Sequence, residues 1–148
     1  GLTLRSKAIN ARLAARIRTA RSVLHAQDDL LILWTGDAND NAKPDRSELQ
    51  RIERDGDTGV ITSYTIAEDG TDAEHELTAD FDAVTQAAID SEDMAGEAWA
   101  RAVAGFAVTL DDAAAQSAGL VSFRITLRAG NLSDVTINAA ALRNKAGS

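Results

Sequence analysis

The chain has 148 residues, of which 45% are hydrophobic and 26% charged, and it contains no cysteine. A single domain of this size can bury a full core, and the missing thiols exclude disulfides, thiolate metal sites and cysteine nucleophiles. The net charge of −8 hides a segregation: Arg5, Lys7, Arg12, Arg16, Arg18 and Arg21 all precede the first acid, Asp28, leaving nine basic against twenty-three acidic residues downstream.

Such a basic arm is either a solvated helix face or a surface that meets something acidic: nucleic acid, anionic lipid, or the acidic body of another copy. Nucleic acid is disfavoured, because no aromatic residue interleaves Arg5 to Arg21 and the acidic remainder repels phosphate. No apolar run is long enough for a transmembrane helix, and no signal peptide is legible.

In chain order, the first element predicted is a long helix over residues 4–34. No Gly or Pro falls between Gly1 and Gly36. Ile9, Leu13, Ile17, Ala20, Leu24, Leu31 and Trp34 recur at steps of three and four, interrupted only by Gln27, which is the period of an amphipathic helix. About 30 residues at 1.5 Å each give a spine of roughly 45 Å, with Gly36 as its terminator.

Residues 36–48 form a polar connector. From Asp37 to Glu48 it resembles a twelve-residue calcium loop, with oxygen-bearing side chains at its first (Asp37), third (Asn39), fifth (Asn41), ninth (Asp45) and twelfth (Glu48) places. The seventh place, Lys43, offers its carbonyl. Calcium takes six to eight oxygens, and a closing Glu can donate two of them. The sixth place, where a sharp turn favours Gly, holds Ala42, and the eighth holds Pro44. Calcium is therefore the candidate ion, at the modest affinity of extracellular modules.

Residues 49–55 and 60–66 flank Gly56-Asp57-Thr58-Gly59 as a β-hairpin. Residues 68–76 read as an exposed acidic loop. Thr78 is a candidate cap for a short helix carrying Phe81, Val84 and Ala88, and residues 91–96 read as a break. Residues 104–110, 121–128 and 135–138 alternate in polarity as three strands, the last two joined through Gly130-Asn131. His25 and His75 read as exposed. With no phosphate loop, HExxH or GxSxG motif, and no carboxylate pair that stands out, the chain is read as non-enzymatic.

A leading helix followed by segregated strands predicts an α+β fold, a long N-terminal helix packed on a small antiparallel sheet with a short second helix. The whole of 1–148 is expected to be one domain, with the sheet region over 49–144. This layout is similar to that of type IV pilin-like proteins. The stretch DDLLILWTGDANDN from Asp28, SELQRIE from Ser47 and the closing segments VSFRITLRAG and AAALRN resemble minor pseudopilins of type II secretion.

The resemblance implies a structural subunit of a type IV pilus or type II secretion pseudopilus, acting by assembly with other pilin or pseudopilin subunits. It also implies a periplasmic or extracellular domain, anchored in the inner membrane by a segment absent from this chain. On that reading Arg12, Arg16 and Arg18 are the candidate partner-binding residues. A stand-alone calcium-binding or protein-interaction module is the alternative.

Overall fold

A computed structural model describes residues 1–143. Its elements are α1 (Leu2–Thr19), β1 (Ser22–Gln27), β2 (Leu30–Trp34), β3 (Leu49–Arg54), β4 (Ile61–Ile66), α2 (Phe81–Asp90), β5 (Met94–Ala100), β6 (Val103–Leu110), β7 (Leu120–Ala129) and β8 (Leu132–Ala141). The strands form two antiparallel sheets, one in the order β1-β2-β3-β4-β5 and one in the order β6-β7-β8. The expected α+β fold built on a 45 Å spine is thus overturned. The described chain is mostly β, with one N-terminal helix and one short helix.

The long helix ends fifteen residues early, for local and global reasons. The Thr19 hydroxyl donates back to the carbonyls of Ala15 and Arg16 at 3.2 and 3.3 Å, a bond that competes with helix propagation. Ala20 is then extended, and β1 begins at Ser22. Asp28-Asp29 makes the turn into β2, with Asp29 at φ +70, a conformation that Asp tolerates better than most residues.

The apolar stripe failed as a helix signal because β2 is buried on both faces: Leu30 to Trp34 are all buried. A strand of that kind reads as a continuous apolar run, which satisfies a 3.6-residue period as easily as any other.

Those two faces belong to two cores. Leu31 and Leu33 of β2 join Val23, Ile52 and Ile61 of the first sheet. They meet Phe106, Phe123, Ile125 and Leu127 of the second sheet and Ile9, Leu13 and Ile17 of α1. Leu30, Ile32 and Trp34 face the other way, with Leu49, Met94 and Phe81 and Ala88 of α2.

The sheets are joined along β6, where the Asp29 N–H donates to the Phe106 carbonyl at 2.8 Å and Arg54 Nε donates to the Val103 carbonyl at 2.7 Å. On the opposite side α1 fills the gap between β5 and β8. Arg12 reaches Glu97 of β5 at 3.3 Å, while Asn138 of β8 donates to Asn10 at 2.7 Å.

The 49–55/60–66 hairpin forms as β3 and β4, and the three later strands form as β6, β7 and β8. The cap of α2 is Asp80, which accepts from the Ala83 N–H at 3.2 Å, rather than Thr78. The expected break at 91–96 instead leads into β5, a strand hidden by its weak apolar alternation. Gly96 sits in it because a Cβ there would lie 2.7 Å from Thr62 and 2.8 Å from Tyr64. Residue 144 of the expected sheet region, and 145–148 of the expected domain, lie outside the described residues.

Leu13 seals α1 to both sheets at 1% exposure. Leu13→Ala is therefore expected to lower unfolding stability by about 2–5 kcal/mol, read as a reduced midpoint in urea at unchanged slope.

Candidate functional site

The polar connector leaves β2 beneath Trp34 and is clasped by Glu48, which is 5% exposed. Glu48 Oε1 accepts from Trp34 Nε1 at 3.1 Å and from the Asp45 N–H at 3.0 Å, and Oε2 accepts from the Ala38 N–H at 2.8 Å. The Glu48 carbonyl accepts both the N–H and the hydroxyl of Thr35, at 2.8 and 2.9 Å. Three N–H donors thus share one buried carboxylate, which would otherwise be a costly unpaired charge. An ion drawing on Glu48 has to compete with them.

The other loop residues converge. Asp37 accepts from the N–H groups of Asn41 and Ala42 at 3.3 and 2.8 Å. Asn39 Nδ2 donates to Asp45 at 2.5 Å, and the Asn41 side chain accepts from the Lys43 N–H at 3.0 Å. Ala42 stands at φ +59, so the sixth place adopts the left-handed turn even without Gly. That conformation costs an alanine roughly 1–2 kcal/mol.

The acidic segment that reads as a free loop is laid against this connector. Lys43 Nζ reaches Glu76 at 2.9 Å and Glu74 at 3.5 Å, and its hydrogen bond to Glu76 leads the causes that raise its pKa. Asp72 accepts the N–H and hydroxyl of Ser47 at 2.9 and 2.8 Å. Main-chain bonds join Arg46 to Ala73 and His75 to Pro44 at 2.7 and 2.9 Å, and Arg46 also donates to the Thr71 carbonyl. Among the described residues no three His, Asp or Glu side chains gather as a metal-holding group, so any ion here would depend on the amides of Asn39 and Asn41 and on main-chain oxygens.

The structure separates the three candidate partner-binding arginines. Arg12 lies over the Trp99 ring at 4.9 Å and pairs with Glu97. Arg16 shares with it a cleft floored by Gln50 and Ser63, which bond to each other at 2.9 Å. Arg18 faces the opposite side, toward β8. Two further basic residues are engaged within the chain: Arg5 donates to the Arg101 carbonyl at 2.8 Å, and Arg21 stacks over Trp34 at 4.7 Å.

Sequence reasoning passed over Arg51 and read His75 as exposed, which the structure corrects. Arg51, 2% exposed, bonds Asp82 at 2.8 Å, Thr85 at 2.9 Å and Glu53 at 2.8 Å, pinning α2 to β3. Its burial opposes the charge, but the bonds to Glu53 and Asp82 outweigh it and raise the pKa. A lone Arg in the run Leu49–Ile52 was the available signal. His75 is half-buried edge-on to Phe81 at 6.5 Å, and its Nε2 is buried without a partner.

No protein-family model, curated protein or solved structure matches this chain.

Burial, and then the charge of Arg46, hold the His75 pKa below its ordinary 6.5. The unfolded state therefore binds the proton first as pH falls. This contribution is complete above about pH 6.5 and lost as pH drops from there toward the folded pKa. Denaturant midpoints measured from pH 7.5 to pH 5 are expected to fall for the native chain and to flatten over that window in His75→Gln.

Proposed function

We propose that the chain is a structural subunit that acts by assembly, of the type IV pilus or type II secretion pseudopilus kind, with no catalytic role. The observation that carries this reading is the division of labour on α1. Ile9, Leu13 and Ile17 seal the core, while Lys7, Arg16 and Arg18 stand exposed. No carboxylate is in ion-pair contact with these three among the described residues.

The remainder of the chain is strongly acidic, so the free cations complement the surface of a neighbouring copy or a related subunit. The resemblance over residues 28–53 supports the same reading. On that reading the domain lies outside the cytoplasm, at the inner membrane. Among the described residues no helix is long and apolar enough to cross a membrane.

Attraction between exposed opposite charges is screened beyond a Debye length of about 10 Å at 0.1 M salt. In sedimentation velocity the mean mass is expected to rise with protein concentration at low salt and fall back at high salt. Arg16→Glu should weaken the rise. A chain that stays monomeric at every concentration and salt would sink the proposal.

A structural calcium site in the connector is a second reading, favoured by Ala42 already holding the turn of the sixth place. Asp37, Asn39, Asn41 and Asp45 would supply side-chain oxygens and Lys43 its carbonyl, while Glu48 keeps the loop folded. Binding to the native state raises the melting temperature with ligand concentration. Millimolar calcium is expected to raise it over chelator, at the affinity of extracellular modules. Asp37→Asn, which removes the charge and keeps one of the two acceptor oxygens that Asn41 and Ala42 use, should abolish the rise. An unchanged melt refutes the site.

A further inference from the structure

Strand β8 ends the three-stranded sheet, and its outer edge bonds to no other strand among the described residues. Soluble proteins ordinarily blunt such edges with lysine, proline or a bulge. This edge has none of these three; among the described residues, beside it stand only Asp134, on the same face as Thr136, and α1, tied to the strand by the Asn138–Asn10 bond at 2.7 Å. The ten residues of β8 pair with β7 without a register shift, and Asp134 is their one charge.

The solvent face of β8 carries Val135 and Ile137, the latter 76% exposed, after Leu132 at 70%. On the other face α1 runs alongside and leaves a groove of about 450 Å³. Ala11 and Ala14 keep the helix side of the groove low, Thr136 borders it from the strand, and Lys7 and Arg18 stand at its two ends. Thr136 Oγ1 is buried there with no hydrogen-bond partner.

We propose that the β8 edge takes up an extended acidic peptide segment by strand addition, its acidic side chains directed to Lys7 and Arg18. An added strand pairs its main chain with a free edge, and alternate side chains set specificity. Lys7 and Arg18 are eleven residues apart, so the helix separates them by about 16 Å, the reach of roughly five extended residues. Acids four residues apart on the inward face can therefore engage both cations. Apolar β-branched residues between them would lie beside Val135 and Ile137 on the outward face, as cross-strand neighbours.

A second copy of this strand fits less well. Antiparallel pairing of two β8 edges about a two-fold axis sets the two α1 helices side by side, with Lys7 of one against Arg18 of the other. The proposal does not depend on the assembly reading, whose test substitutes Arg16.

The probe is a fluorescein-labelled peptide of sequence TEVTVEVT, titrated by anisotropy at low salt. Its controls are TKVTVKVT and TEVPVEVT, the latter lacking a main-chain donor at its centre. Saturable binding of the acidic peptide is expected, weakened by about tenfold or more in both controls and in the Lys7→Glu/Arg18→Glu double variant. Ile137→Ser, which removes the apolar cross-strand contact at an exposed position without adding charge, should weaken it as well. Melts of both variants establish that they are folded.

Absence of saturable binding, equal binding of the acidic and basic peptides, or undiminished binding by both variants overturns the proposal. So does a dimer in sedimentation that Ile137→Ser dissociates and the double charge reversal does not, since the edge would then belong to a second copy.

Discussion

The structure depends on covering the first sheet twice. Strand β2 presents Leu31 and Leu33 to one side and Leu30, Ile32 and Trp34 to the other, so neither face of β1 to β3 can be left to water. Fully burying an aliphatic or aromatic side chain is worth about 1.5–3 kcal/mol, and these five residues dominate the local free energy. One face is met by the second sheet and α1 together, the other by α2. Each remaining element is placed by that requirement.

The two coverings are secured differently. The second sheet meets the first through an apolar interior, with main-chain bonds from Asp29 and Val103 at the seam. α2 is only ten residues long, too short to be stable as an isolated helix. It is held by Phe81 and Ala88 in the second core and by the Arg51 bonds to Asp82 and Thr85. This ion pair is weak evidence of net stability, because Arg51 loses its water while the Asp82 side chain stays 40% exposed. The fork of Arg51 does, however, fix the rotation and register of α2 more tightly than apolar contact alone. The polar connector obeys the same constraint, since Glu48 satisfies the indole of Trp34, a ring that the second core requires to be buried.

This explains which parts were legible beforehand. Strands covered on one face, β7 above all, alternate as the sheet demands and could be read directly. The segment Ser22–Trp34 could not, because burial on both faces erases the alternation that separates strand from helix. The informative residues there were Asp28-Asp29, a turn signal outweighed by the apolar period, and Gln27, the polar break in the stripe. β5 was hidden for the opposite reason: much of Met94–Ala100 is exposed, and its sequence carries little periodicity. In the candidate site, the loop spacing of Asp37, Asn39, Asn41 and Asp45 was legible, whereas the bonds of Asn39 and Asn41 to Asp45 were not. The docking of residues 68–76 against them was not legible either, since it rests on main-chain bonds, on Asp72 holding Ser47, and on the side chains of Lys43 and Arg46.

Charge segregation gains meaning once the helix is placed. Of the six basic residues before Asp28, three are engaged within the chain: Arg5 on the Arg101 carbonyl, Arg12 on Glu97 and Trp99, and Arg21 on Trp34. Their cost of ordering is offset by contacts that hold α1 against β5 and hold the β1–β2 hairpin beneath the connector. The other three, Lys7, Arg16 and Arg18, are not all on one face. Arg16 shares the β5 side with Arg12, while Lys7 and Arg18 bracket the groove beside β8. Exposed ion pairs within one chain contribute little to stability, so leaving these cations unpaired sacrifices little in folding. It leaves two separate positive surfaces on an otherwise acidic body, one on each side of a single helix.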